Sequence, residues 1–245
     1  MDRHEVETFL TLAEELHFGR TAERLRVARA VSTARGLRVG FLGEAAGDFL
    51  VGVMATFADG DVHIHETQVG DMFGAVRTST VDVVLTKYPV REPDLTTGPV
   101  LLREPRMLAV PAKHSLAVRR SVSLDHLTDE AHLDLAGSVP DYWRRHHLPP
   151  TAPNGVPIRR GPVAATMQEA LMLVAAGKGV CGVGSQFARH HTWPGVAFVP
   201  LHDAPSFDSG LVWRTSAESG LVRAFARAAE AFAATRASRI RAGAP

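Results

Sequence analysis

A single cysteine, Cys181, in 245 residues leaves no partner for an intramolecular disulfide, so stability has to come from packing rather than covalent staples. No run reaches the ~20 apolar residues that a membrane helix needs, and the N-terminus lacks the basic region and apolar stretch of a secretory leader. A cytoplasmic location is the expectation that follows, with no membrane partner. Excess charge is also missing. The 27 basic and 26 acidic residues leave a net charge of +1, which excludes a global field for polyanions, so any contact with DNA has to be local. There is no GxSxG elbow, and no nucleophile, base and orienting group stand at a recognisable spacing. His63 and His65 share one face of a strand, and His146–His147 and His190–His191 are adjacent pairs; none forms a spaced ligand set with Cys181. The histidines are therefore expected to be solvated, and no metal or cofactor is expected.

What the chain does have is a 45 % hydrophobic content, enough at this length to bury roughly 70–75 % of the unfolded surface. From Leu37 short apolar runs alternate with helical segments. LRVGFL, DVHIHET and VDVVLT read as strands separated by the helical stretches GDFLVGVMATFA and GDMFGAVRTS, the order of a parallel α/β sheet. Val100 to Val110 reads as one extended stretch. A second cycle follows, with HLDLAG, PIRRG and VCGVG as strands and DYWRRHH and TMQEALMLVAAG as helices, before VAFVPL, FDSGLVWRT and a long Ala-rich helix from about Ser219 to Ala237. Extended crossings near Leu101–Glu104 and Val199–Leu201 join the two cycles, which predicts two lobes with a cleft between them.

The first 36 residues have a different character. Val6, Phe9, Leu10, Ala13 and Leu16 recur at helical spacing behind Asp2, Glu5 and Glu7, as in an amphipathic helix with a favourable N-terminal charge. Thr21, Ala22, Leu25 and Val27 fit a second short helix, with small Ala22 where two helix backbones can approach closely. The arginines of this fragment are matched by its carboxylates, so counterion release would drive DNA binding only weakly.

The run FLTLAEELHFGRTAERLRV resembles the opening of LysR-type transcriptional regulators at Phe9, Ala13, Phe18, Thr21, Ala22, Leu25 and Val27. The segments LRVGFLG, VDVVLTKYPV, EPDLTTGPVLLREPRMLAVPAKHSLA and ATMQEALMLVAAGKGVCGVG are similar to the effector-binding domain of the same family. The resemblance implies an α/β fold of the two-lobed type 2 periplasmic-binding-protein kind, preceded by a short helix-turn-helix remnant. It places the remnant at residues 1–36 and the effector-binding domain at 37–245, with lobe one at 37–104 plus 201–245 and lobe two at 105–200. In the family the helix-turn-helix continues into a recognition helix, a wing and a linker helix. Here only Ala30, Val31 and Ser32 resemble the recognition helix before the first strand begins. Arg20, Thr21, Arg29 and Ser32 are the candidate DNA contacts, and with the reader cut short, independent DNA binding is expected to be impaired.

In open α/β sheets ligands bind beyond the carboxyl ends of strands, beside helix N-termini. That rule selects Gly43, Glu44 and Ala45 after the first strand, Thr67 and Gln68 after the second, and Thr86 and Lys87 after the third. In the second cycle it selects Ser138, Ala165 and Thr166, although Ser138 and Thr166 would also serve as ordinary N-caps. Family members often carry a hydroxyl residue where this chain has Glu44, a charge that would repel a carboxylate ligand unless Lys87 or a buried proton compensates. A neutral or hydroxylated aromatic, or a cation, is then as good a ligand as a simple acid. Tyr142 and Trp143 could offer a flat face to a ring, or could belong to the core. Gly177-Lys178-Gly179-Val180-Cys181-Gly182 matches GxGxxG but follows a helix and leads into a strand, the reverse of a dinucleotide site, so its glycines read as a helix C-cap.

The expected function is a LysR-like regulator sensing a small metabolite, homo-oligomeric through its effector-binding domain. The alternative is a solute-binding fold repurposed as an enzyme, with Glu44 as acid or base, or as a ligand-binding accessory protein.

Overall fold

The computed structural model describes residues 36–241; the expected helix-turn-helix remnant, with Arg20, Thr21, Arg29 and Ser32, lies outside them. Strands β1 (Gly36–Phe41), β2 (Asp61–Glu66), β3 (Val83–Lys87), β4 (Leu95–Thr97), β5 (Leu102–Glu104) and, from late in the chain, β11 (Phe207–Arg214) form one sheet. Its order is β2-β1-β3-β11-β4, with β5 also paired to β11. Strands β6 (Arg106–Pro111), β9 (Cys181–Gly184) and β10 (Val196–Pro200) form a second sheet in the order β10-β6-β9. The pair β7 (Ala131–Leu135) and β8 (Arg159–Ala164) joins this second lobe through a bridge from His132 to Val180.

The expected parallel arrangement is found for β1 with β2 and β3, and for β7 with β8. Strand β11, for which the residues carried no expected direction, runs antiparallel to β3, β4 and β5, and β6 runs antiparallel to both its neighbours. The reason is connectivity: β11 enters from the other lobe through a short loop, and an antiparallel partner does not require the long helical crossover that a parallel one does. The single stretch expected over residues 100–110 is two strands divided at Pro105, which has no N–H to continue a ladder. The helix expected over residues 70–79 shrinks to one 3-10 turn and α2 (Gly74–Arg77), in keeping with the roughly 1 kcal/mol that each glycine costs a helix interior.

Strand alternation decides what covers each face of the first sheet. Leu37, Val39, Val83, Leu85 and Leu211 point to the side occupied by α1 (Glu44–Met54) and α6 (Gly220–Arg241), where Phe49, Val53, Phe225 and Ala229 fill the core. Val84 and Val212 point to the other side. There they meet Met72 and Val76 from their own lobe and Val139 and Trp143 from the second lobe, Trp143 being carried on α3 (Asp141–His147). The two lobes thus share one apolar cluster. In the second sheet Leu108 and Val110 face one core and Ala109 the other, beneath α4 (Met167–Ala175); α5 (Ser185–His190) follows β9 directly.

Phe49 has no exposed surface, so Phe49→Ala is expected to cost about 3–5 kcal/mol through lost burial and a residual cavity. Val51, two residues on and 66 % exposed, should tolerate alanine within about 0.5 kcal/mol. Urea unfolding of the two variants checks the contrast.

Candidate functional site

The carboxyl ends of β1, β2 and β3 face the second lobe across a cavity of about 180 Å³. Gly43 sets the entry to α1 with φ 80°, a conformation favourable to glycine, and contributes to the wall. Glu44 and Ala45 are the first two residues of α1. Thr67 lines the cavity, but its hydroxyl donates to the Phe41 carbonyl at 2.9 Å, so it fastens β2 to β1. Gln68, Lys87, Ala165 and Thr166 also line the cavity. The Thr166 hydroxyl accepts from the Glu169 amide at 3.1 Å while the Glu169 carboxylate accepts from the Ala165 amide at 2.8 Å, so the N-terminus of α4 is capped by its own residues.

Two selected residues stand elsewhere. Thr86 is fully buried behind the wall, its hydroxyl without a hydrogen-bond partner among the described residues. Ser138 is not part of the wall; its amide donates to the Gly70 carbonyl at 2.7 Å, tying the lobes together. At this contact Gly137 has φ 88°, and a Cβ there would fall on the backbone of Gly70. The glycines of the GxGxxG run close a helix: the Gly177 and Lys178 amides donate to the Val174 and Leu173 carbonyls, and β9 follows.

The second lobe supplies groups that the strand-end rule does not select. Trp143 lines the cavity with its indole N–H donating to the Lys87 carbonyl at 3.0 Å, whereas Tyr142 turns away and donates to Glu92 at 2.7 Å. His132 and His147 are buried wall residues, which corrects the expectation that the histidines are solvated. The His147 Nε2 lies 2.8 Å from the Tyr88 carbonyl and must donate there, leaving Nδ1 to accept from Arg106 at 3.2 Å. Burial, reinforced by Arg106 and Lys87, drives the His147 pKa far down, so the ring is neutral. Cys181 also lines the cavity, its thiol pushed up to about 12 by burial; it contributes an apolar surface, not a thiolate. Among the described residues no group of three or more His, Cys, Asp or Glu is gathered as a metal ion would require.

The charged end of the cavity is built around Phe207. The Lys87 ammonium lies 3.8 Å from the ring centroid and the Arg106 guanidinium 4.3 Å from it. Exclusion of water lowers the Lys87 pKa to about 8; Glu104 opposes the shift and Arg106 adds to it. Arg106 is the least legible member of the site, since it sits in the otherwise apolar strand RMLAVP. A charge in a run that buries on both faces was the available signal, because such a group is retained only where its environment holds it.

A profile of the LysR substrate binding domain matches residues 32–234. The chain belongs to this family. Solved structures share the fold: the effector-binding domain of a BenM variant at 21 % identity, covering 83 % of this chain and 96 % of that one with a TM-score of 0.66. The effector-binding domain of QuiR in complex with shikimate is 14 % identical, with 82 % and 97 % coverage and a TM-score of 0.66. HinK, a LysR family transcriptional regulator from Pseudomonas aeruginosa, is 17 % identical, with 89 % and 79 % coverage and a TM-score of 0.63. No curated protein sequence matches the chain. The LysR fold accounts for the two-lobed architecture.

Burial of neutral His132 couples the site to pH. Its pKa falls from 6.5 to about 4, mainly by desolvation, so within that window the unfolded chain binds a proton that the folded one refuses. Stability therefore decreases as pH falls from 6.5 towards 4, by about 1.4 kcal/mol per pH unit for each such histidine. His132→Asn should flatten this dependence in urea midpoints taken from pH 7.5 to 4.5; parallel curves would contradict it.

Proposed function

We propose that this chain is the sensing part of a LysR-like transcriptional regulator, with a small metabolite bound between the lobes and in contact with Gly43, Gln68, Lys87, Trp143, Ala165 and Thr166. The observation that carries the reading is a small cavity walled by both lobes at the strand ends, where ligands of open α/β sheets bind. Supporting it, solved structures of this fold include the BenM effector-binding domain with its effector benzoate and the effector-binding domain of QuiR in complex with shikimate. A ligand that touches both lobes acts by its differential affinity for their arrangements.

Residues 1–36 are read as a shortened helix-turn-helix and residues 37–245 as the effector-binding domain, so operator recognition is weak and regulation depends on self-association in the cytoplasm. No helix among the described residues is long and apolar enough to cross a membrane. Glu44 as an acid or base remains the feature on which an enzymatic role would turn.

Native mass spectrometry before and after denaturation is expected to release one small molecule per chain from a homo-oligomer. Ala165→Trp, which blocks the wall, should abolish that release while preserving the circular dichroism spectrum. A monomer, or an Ala165→Trp protein still carrying the molecule, would contradict the reading; so would turnover of the molecule that Glu44→Gln removes. In fluorescence anisotropy at physiological salt the protein is expected to bind its promoter no more tightly than unrelated DNA, and nanomolar, sequence-specific binding would reject the impaired reader.

A further inference from the structure

Three lysines serve the whole chain, against 27 basic residues in all. Lys113 and Lys178 are exposed, whereas Lys87 lines the interlobe cavity. Its ammonium has no hydrogen-bond acceptor and no carboxylate within ion-pair distance among the described residues; the Phe207 ring is its only close favourable contact there. The carboxylates nearby are otherwise engaged. Glu104, the acid closest in effect, is buried and accepts from the Gln186 amide at 2.7 Å. Asp134 is held by Arg144. Glu66, at the end of β2, is exposed to water, where a charge is screened.

Arg106 adds positive charge behind this position. Its two terminal nitrogens donate to the carbonyl and Nδ1 of His147, while its Nε is buried without a partner among the described residues. His147 is neutral and cancels none of that charge. A desolvated cation next to a second cation, with the local acids committed elsewhere, is an incomplete arrangement that an anion completes. The remaining walls limit the rest of that anion. Leu133, Leu135, Leu148, Trp143 and Met167 present apolar surface, and a volume of about 180 Å³ lies below the roughly 300–1,000 Å³ of sites for drug-sized ligands.

We propose that the cleft takes a small organic monoanion of about single-ring size, its carboxylate seated on the Lys87 ammonium and its apolar body against Trp143 and Leu133. This rests on reading the cleft as the effector site, and it decides among the acid, neutral and cationic ligands that the sequence left open. The ligand acts as a counterion: Lys87 gains the hydrogen-bonding partner that the protein withholds, and Phe207 keeps the ammonium aimed into the cavity.

The test uses three matched sets of single-ring compounds, carboxylates, their primary amides and the corresponding amines, each screened by thermal shift and titrated by calorimetry. Binding is expected only among the carboxylates, and Lys87→Met is expected to weaken the best of them by about 10–100-fold, the scale of one charge-assisted hydrogen bond. Lys87→Met removes a desolvated charge, and its unfolding curve verifies that it folds. As a second readout, carbon-13 reductive methylation gives separate signals for the three lysines. The best carboxylate should raise the titration midpoint of Lys87, which faces Glu104, Arg106 and His147, while leaving Lys113 and Lys178 unmoved. Equal binding of amides or amines, full binding to Lys87→Met, an unmoved Lys87 signal, or no binding by any carboxylate overturns the proposal. If amides bind in the cleft, the sensor reading stands and only the charge assignment falls; if the molecule released from the native protein survives Ala165→Trp, the cleft itself is the error.

Discussion

Trp143 and His147, one helical turn apart on α3 (Asp141–His147), donate their ring N–H groups to consecutive carbonyls of the other lobe, those of Lys87 and Tyr88, at 3.0 and 2.8 Å. Residues at i and i+4 share a helix face, so a single short helix delivers both bonds to a single strand end. Tyr142 adds a third connection through Glu92 and the Arg91 amide. These contacts give hydrogen-bond donors to two carbonyls at the end of β3. They also fix the height of the cleft, because Trp143 is at once a bond donor to the first lobe, a member of its apolar cluster and a wall of the cavity.

The electrostatics follow from that docking. Closing α3 over β3 removes water from around Lys87 and Arg106, and the low dielectric makes the charge of each count for more than at the surface. The structure compensates Arg106 with the carbonyl and neutral imidazole of His147 and an aromatic face, and Lys87, among the described residues, with the aromatic face. Glu104 could have neutralised Lys87 but instead caps the backbone at Gln186, where Gly184 leaves room for its carboxylate. Positive potential is thus retained in the cavity at a cost in stability. Such a cost is usual where a fold keeps a binding function.

Much of the architecture was legible in the sequence because it depends on local periodicity. The apolar runs of β1 and β3, the Thr166 cap of α4 and the reversed glycine run each reflect forces acting over a few residues. Strand direction was not legible: β11 owes its antiparallel pairing to the path of the chain through the other lobe, which no window of residues encodes. The site divides in the same way. Gly43, Gln68, Lys87 and Thr166, which line the cavity, were selected because they end or follow strands or open helices. His132 and Phe207 were missed because they reach the cavity through tertiary packing, as was Arg106, which packs behind them on Phe207 and His147, and the surface reading given to the paired histidines fails at His147 because α3 has one face against the other lobe.

The three tryptophans give three indole signals in a proton–nitrogen-15 spectrum, and they report on different places. Trp143 bonds to Lys87 across the cleft, Trp213 bonds to Glu218 in the first lobe, and Trp193 packs within the second. Adding back the small molecule recovered from the denatured protein to ligand-free protein should shift the Trp143 signal alone and keep it protected from solvent exchange. A shift confined to Trp193 or Trp213, with Trp143 unchanged, would place the ligand outside the cleft and contradict its assignment as the sensing site.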